Sequence, residues 1–269
     1  MSQGVLLIGC GNLGRLLLQI WTKKKYKINV LENNQDVLCD LQDIYSESIL
    51  FNRISDINFS DYKYIILCVK PNSAYKLIKS ISSLISNKQY IFSLIAGLKL
   101  DKLEFLFKNN NKIFRVMPNI FASVVSSSTA IFSNKNINIS ERKKINALFN
   151  CLRELLWLKK ENDMNFFTAL YGGGPAYFFF YIKTLIEISK SYGLEECDSK
   201  KLVLNLLKGT YKFLEKNKND DIDKHIRKVT SKGGTTEEAI KFFEENTNFY
   251  SLMKRAVKKA EKKSFTLSK

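Results

Sequence analysis

The sequence predicts an α/β domain built on a largely parallel sheet, followed by an all-α domain. Short apolar runs alternate with helical stretches as far as Leu158, which argues for parallel strands with helices on both faces. The first run, GVLLI (4–8), ends in GCGNLG, Gly9 to Gly14, and the chain then turns helical. That strand–turn–helix context makes the G-x-G-x-x-G spacing a dinucleotide-binding signature and the first domain Rossmann-type. From about Glu161 to Lys263 the periodicity is helical, with no convincing strand. The expected domains are therefore 1–159 and 160–269.

The elements follow in order. Residues 12–22 read as the first helix and INVL (28–31) as the second strand. Further strands are expected at YIILCV (64–69), YIFSLI (90–95), KIFRVM (112–117) and STAIF (128–132), with helices over 72–85 and 140–153. Residues 176–191 (AYFFFYIKTLIEISKS) are apolar nearly all round, which predicts a helix buried on most sides. A helical domain of about 110 residues needs a partner subunit to cover that much apolar surface, so the C-terminal domain is read as a dimerisation domain. There is no internal repeat, low-complexity tract or flexible linker.

Composition removes several function classes. With 45% hydrophobic and 26% charged residues, the 269-residue chain is an ordinary soluble one. No uncharged apolar run reaches the roughly 18–20 residues that span a bilayer. The N-terminus lacks the basic region of a signal peptide. Five scattered cysteines (Cys10, Cys39, Cys68, Cys151, Cys197) show no metal spacing, so no metal is expected and a reducing, cytoplasmic setting is. The formal charge is +17, but the lysines are spread through the chain, which argues against a nucleic-acid stripe. Runs such as Lys23-Lys24-Lys25 and the closing KKAEKKS read as solvated helix ends. Neither nucleic acid nor membrane is an expected partner.

At the nucleotide end, Gly9 permits the tight turn, Gly11 lets the backbone approach a pyrophosphate, and Gly14 allows close helix–strand packing. Glu32 ends the second strand 18 residues after Gly14, where an acid holds the ribose 2′-hydroxyl and disfavours a 2′-phosphate. The cofactor is thus NADH or NADPH, with a lean toward NADH.

Alcohol chemistry lacks its machinery. The single histidine, His225, lies in the polar segment DDIDKHIRK and is expected at the surface. β-Hydroxyacid dehydrogenases carry a lysine four residues after a G-x-G, and here GGG (172–174) is followed by Pro175, Ala176, Tyr177 and Phe178. A protonated imine removes the requirement, because its reduction develops no alkoxide; orientation and a hydrogen bond at nitrogen suffice. TSKGGTTEEAI (230–240) then gains a role. Thr235 and Glu238 match a T-x-x-E capping box, and Gly233 and Gly234 leave the amides of a helix start unobstructed. Those amides, with Ser231, Thr235 and Thr236, form a socket for a carboxylate. The plainer alternative is a helix cap alone.

Taken together, IGCGNLG (8–14), CVKP (68–71), RVMPN (115–119), ALYGGGPAY (169–177) and VTSKGGTTEEAI (229–240) resemble pyrroline-5-carboxylate reductase along essentially the whole chain. The resemblance implies NAD(P)H-dependent reduction of L-1-pyrroline-5-carboxylate to L-proline. It also implies a homodimer interlocked through the helical domains, further assembly into a ring of dimers, and an active site where the nicotinamide meets those domains. By position it places Cys10, Asn12 and Leu13 at the pyrophosphate turn, Cys68, Val69, Lys70 and Ala96 along the cofactor, and Asn119 near the nicotinamide. It places Glu161 near the substrate, Thr235 and Thr236 at the substrate carboxylate and ring nitrogen, and Thr236 as partner of the imine nitrogen. The chain departs from the family at Tyr171 and Gly173, where serines are usual, at Lys232 (proline) and at Asn165 (aspartate). These changes put weaker polar support around the substrate. The alternatives are a related imine or small-carbonyl reductase on the same fold, or a dinucleotide-binding protein without catalysis.

Overall fold

The structure is a computed structural model that describes residues 4–24, 26–45, 48–108, 111–245 and 249–267. Lys25 of the lysine run lies outside the described residues. The chain forms two compact units, Met1–Gly173 with Ala260–Lys269, and Gly174–Lys259. The sequence reading sets its boundary earlier, at 159/160. The segment after Leu158 stays with the first unit because Met164 and Phe167 bury themselves against Ala130 of the sheet.

Among the described residues the first unit holds eight strands: β1 (Gly4–Ile8), β2 (Ile28–Leu31), β3 (Leu50–Phe51), β4 (Tyr62–Leu67), β5 (Tyr90–Ser93), β6 (Lys112–Met117), β7 (Ser127–Ser133) and β8 (Arg153–Trp157). Their order is β3-β2-β1-β4-β5-β6-β7-β8. The first six run parallel, β7 is antiparallel to β6, and β8 runs parallel to β7. Helices α1 (Asn12–Lys23), α2 (Gln35–Ile44), α3 (Pro71–Ile81), α4 (Leu100–Phe107) and α5 (Ile139–Phe149) complete the crossovers. Period-two alternation divides strands β1 to β6 between two cores, as expected where both faces of a parallel sheet are covered. Val5 and Leu7 pack with Leu17, Trp21 and Phe149 of α1 and α5. Leu6 and Ile8 pack with Ile78 and Leu103 of α3 and α4.

Two strands escape the sequence reading. β3 has only two residues, too few to show a period. β8 (RELLW) is half exposed, and its first residue falls at the end of the helix expected over 140–153, whereas α5 ends at Phe149.

A charged cluster fastens α5 to the amino edge of the sheet. Tyr90 and Lys112, the first residues of β5 and β6, both donate to the Glu141 carboxylate, which also closes a capping box with Asn138 at the start of α5. The Lys112 and then the Tyr90 bonds hold the Glu141 carboxyl at about 2, below its ordinary 4.5. A folded-state value below the unfolded one stabilises above the unfolded value and fades as pH falls toward the folded one. Glu141→Gln is therefore expected to lose about 1–2 kcal/mol at neutral pH after allowance for solvent screening. Thermal melts from pH 7 to 2 check this: the deficit shrinks below 4.5 and is gone near 2.

After α6 (Asp163–Phe167) and a π-helical turn (Thr168–Gly172), the second unit contains α7 (Gly174–Ser191), α8 (Glu196–Lys216), α9 (Ile222–Val229) and α10 (Thr235–Glu245). The last helix, α11 (Phe249–Leu267), ends in the first unit. Within the single chain, α7 buries only Pro175, and Phe178, Phe180 and Tyr181 stand exposed. The expected burial on most sides is not supplied by this chain's own helices. Among the described residues no helix is long and apolar enough to cross a membrane.

Candidate active site

Because β1, β4, β5 and β6 are parallel, the loops after them open at one edge of the sheet, its carboxyl edge. Each of those loops carries residues expected to meet the cofactor. After β1, Gly9 adopts φ +91, and a Cβ there would meet Val69 Cγ1 at 2.6 Å and the Cys68 carbonyl at 2.7 Å. A Cβ on Gly14 would lie 2.4 Å from the Gly9 carbonyl oxygen. Gly11 differs: its Cβ would meet nothing within 4 Å. It precedes α1, whose first turn holds no acidic residue. An open backbone at an uncompensated positive helix end fits a pyrophosphate, with Asn12 and Leu13 as the first two helical residues.

Cys10 serves this loop from beneath. Its side chain is fully buried, and burial, with the Glu32 charge next, pushes its thiol up to about 12. Its amide donates to Glu32 Oε2 at 2.7 Å, while Glu32 Oε1 accepts from Asn33 (2.8 Å) and Asn34 (3.0 Å). Glu32 thus ties the glycine loop to the end of β2 instead of merely facing water. After β4, Cys68 is half-buried, with its thiol pushed to about 12 by burial, and Lys70 is exposed just before Pro71 opens α3. After β5, Ala96 precedes Gly97, whose φ is +78.

Asn119 follows β6 and is 9% exposed. Its Oδ1 accepts from the Phe121 amide at 3.0 Å and its Nδ2 donates to the Tyr171 carbonyl at 3.0 Å. Glu161 is engaged within the first unit. Its Oε1 accepts from Arg115 Nη1 at 2.9 Å and from the amide of Leu100, the first residue of α4, at 2.8 Å. Arg115 is the residue that sequence reasoning overlooked as a site member. The signal was present, since an arginine inside the apolar strand KIFRVM demands a buried acceptor.

In the second unit, Gly233 adopts φ +72 and Gly234 donates to the Ser231 carbonyl, so α10 begins at Thr235. The expected capping box is not formed. Thr235 is the first helical residue, not the cap, and Glu237 replaces Glu238 as the residue that reaches back, accepting from the Gly233 amide at 2.7 Å. That amide is therefore obstructed by the chain's own carboxylate. Ser231, Thr235 and Thr236 are exposed. His225 is not the surface residue expected: its side chain is 12% exposed and packs edge-on to Phe213 at 5.0 Å. Among the described residues, no group of three His, Cys, Asp or Glu side chains is placed to hold a metal ion.

Known families match both parts of the chain. The family model "Pyrroline-5-carboxylate reductase dimerisation" matches residues 161–267, and "NADP oxidoreductase coenzyme F420-dependent" matches residues 4–97. The pyrroline-5-carboxylate reductase of Aquifex aeolicus is 31% identical over 252 residues, covering 91% of this chain and 90% of that protein. The chain belongs to the pyrroline-5-carboxylate reductase family. Pyrroline-5-carboxylate reductase 1 of Bacillus subtilis is 30% identical, over 77% of this chain and 69% of that protein. The Plasmodium falciparum pyrroline carboxylate reductase with NADP bound superposes at a TM-score of 0.84 with 26% identity, covering 100% of this chain and 99% of that one. A Coxiella burnetii member shares the fold at a TM-score of 0.88 and 24% identity, with both chains covered fully.

Set against the family pattern, the departures take on physical meaning. Asn165, in place of aspartate, is buried and accepts from Ser264 Oγ of α11 at 3.0 Å, a role its amide oxygen fills as a carboxylate oxygen would. Tyr171, in place of serine, packs its ring on Phe167 at 4.8 Å and Phe166 at 6.4 Å. Lys232 is exposed in the glycine turn.

Proposed function

We propose that this chain reduces L-1-pyrroline-5-carboxylate to L-proline by hydride transfer to the protonated cyclic imine. The observations that carry this reading are the open Gly11 cradle and the exposed Thr235–Thr236 helix start, in a chain that covers 90% of a family member. When bound, a reduced nicotinamide dinucleotide supplies the hydride. The chain's own residues then bind and orient. The amides from Gly11 to Leu13 hold the pyrophosphate, and Glu32 receives the ribose hydroxyls. Cys68, Val69, Lys70 and Ala96 lie along the rest of the cofactor. Ser231 and Thr235 take the substrate carboxylate, and the Thr236 hydroxyl takes the ring nitrogen. Glu161 supports the substrate side. No side chain has to deliver a proton to a developing alkoxide, which agrees with a histidine packed away against Phe213.

The dimerisation segment makes the protein an oligomer, and the exposed aromatic residues of α7 supply its surface. A homodimer, a ring of such dimers and a cytoplasmic setting complete the reading.

Oxidation of NADH and NADPH is measured with and without pyrroline-5-carboxylate, with proline detected as product. Proline formation is expected; cofactor binding without turnover overturns the reading. Thr236→Ala is expected to lower kcat about tenfold, the equivalent of one charge-assisted hydrogen bond, and to leave cofactor affinity unchanged. Unaltered turnover removes Thr236 from the mechanism. Glu32→Ser is expected to shift the NADPH/NADH preference about five- to tenfold toward NADPH. It also weakens both cofactors, since the Cys10 amide loses its acceptor.

A further inference from the structure

In an α-helix the carbonyl of one residue accepts from the amide four residues later. Four residues after Tyr171 stands Pro175, which has no N–H to give. The ladder is disturbed here in any case, because the Gly173 amide bonds five residues back to Thr168 at 2.9 Å. The Tyr171 carbonyl instead receives the Asn119 side-chain amide at 3.0 Å. Asn119 is itself fixed, by the Phe121 amide on its Oδ1 and by its own amide on Ser127 Oγ, both at 3.0 Å. Next to Tyr171, a Cβ on Gly172 would lie 3.2 Å from Met117 Cε, so Gly172 lies close against the end of β6.

We propose that Asn119 is a positioning residue for the reductase reaction: its side-chain amide replaces the donor that Pro175 cannot supply and fixes the backbone at Tyr171 and Gly172 at the carboxyl edge of the sheet. It acts through the Tyr171 carbonyl and not through the cofactor. The arrangement explains how glycines and a proline, all poor in internal helical support, coexist at one helix start. The kinetic arm of the test rests on the function proposed above, whereas its exchange arm does not.

The 269-residue protein is compared with Asn119→Ala, with the isosteric Asn119→Asp, and with each combined with Pro175→Ala. Aspartate keeps the acceptor for Phe121 but loses the donor for Tyr171. Amide hydrogen exchange at residues 172–174 is expected to quicken about fivefold in both single variants, the loss of one net hydrogen bond. Pro175→Ala restores an N–H four residues after Tyr171 and is expected to recover most of the protection in the Asn119→Ala background. With pyrroline-5-carboxylate, kcat is expected to fall about fivefold while the cofactor dissociation constant stays within about twofold. Wild-type exchange in Asn119→Asp, no recovery with Pro175→Ala, or cofactor affinity falling in step with kcat overturns the proposal. If the wild-type protein makes no proline, the function reading fails, and the exchange data alone still decide the role of Asn119.

Discussion

Gly14→Ala is expected to weaken dinucleotide binding at least about a hundredfold and to lower stability by about 1–3 kcal/mol. The added Cβ would stand 2.4 Å from the Gly9 carbonyl oxygen and 3.2 Å from its carbon, and both are backbone atoms that cannot swing aside. Gly9 has no room to retreat, because Val69 Cγ1 and the Cys68 carbonyl already fill the space behind it. The loop is further held by the Gly9 amide on the Leu31 carbonyl and the Cys10 amide on Glu32. The strain therefore moves α1 away from the loop, and with it the amides that meet the pyrophosphate. Gly11→Ala is the matched control. Nothing surrounds its Cβ, so the fold should stand within about 0.5 kcal/mol while the methyl group blocks the cofactor's approach. Calorimetric titration with NADH and NADPH, beside thermal melts, separates the two. Gly14→Ala binding like wild type would show that helix–loop contact does not set the cradle.

That loop was legible because its geometry is local: strand, turn and helix lie within twenty consecutive residues, and each glycine has its own steric reason. The largely parallel sheet, with helices on both faces, followed from the same alternation. What the sequence concealed depends on distant partners. Arg115 and Glu161 are 46 residues apart, and Asn119 and Tyr171 are 52 apart, although Pro175 already announced a carbonyl in need of a donor. His225 reads as polar from its neighbours, yet Phe213 of α8 covers it. The capping error at Thr235 is a shift of one residue. The bond from the Gly234 amide to Ser231 closes the turn, Thr235 enters the helix, and Glu237 becomes the residue within reach of Gly233. For α7, the all-round apolar pattern gave the helix, but not its burial, which this chain alone does not provide.

Glu161→Ala is expected to lower stability by about 3 kcal/mol, or roughly 6–12 °C in Tm, before any effect on the substrate is considered. The Arg115 side chain is 6% exposed and Glu161 Oε1 sits 2.9 Å from it, so removal of the carboxylate strands a buried guanidinium. The loss lies at the low end of the range for broken buried pairs because the Glu161 side chain is 26% exposed. The same oxygen also receives the Leu100 amide at the start of α4, an end that offers no capping side chain of its own. Arg115→Met in the Glu161→Leu background is expected to recover most of the loss, since no charge then remains buried. A residue of about 1 kcal/mol should persist for the uncapped helix. Glu161→Gln distinguishes support from substrate contact. It keeps an acceptor for both donors and removes the charge. A lower Tm with KM for pyrroline-5-carboxylate unchanged identifies Glu161 as the bond between α4 and β6. A raised KM at an unchanged Tm identifies it as a substrate ligand and removes the structural account of the pair.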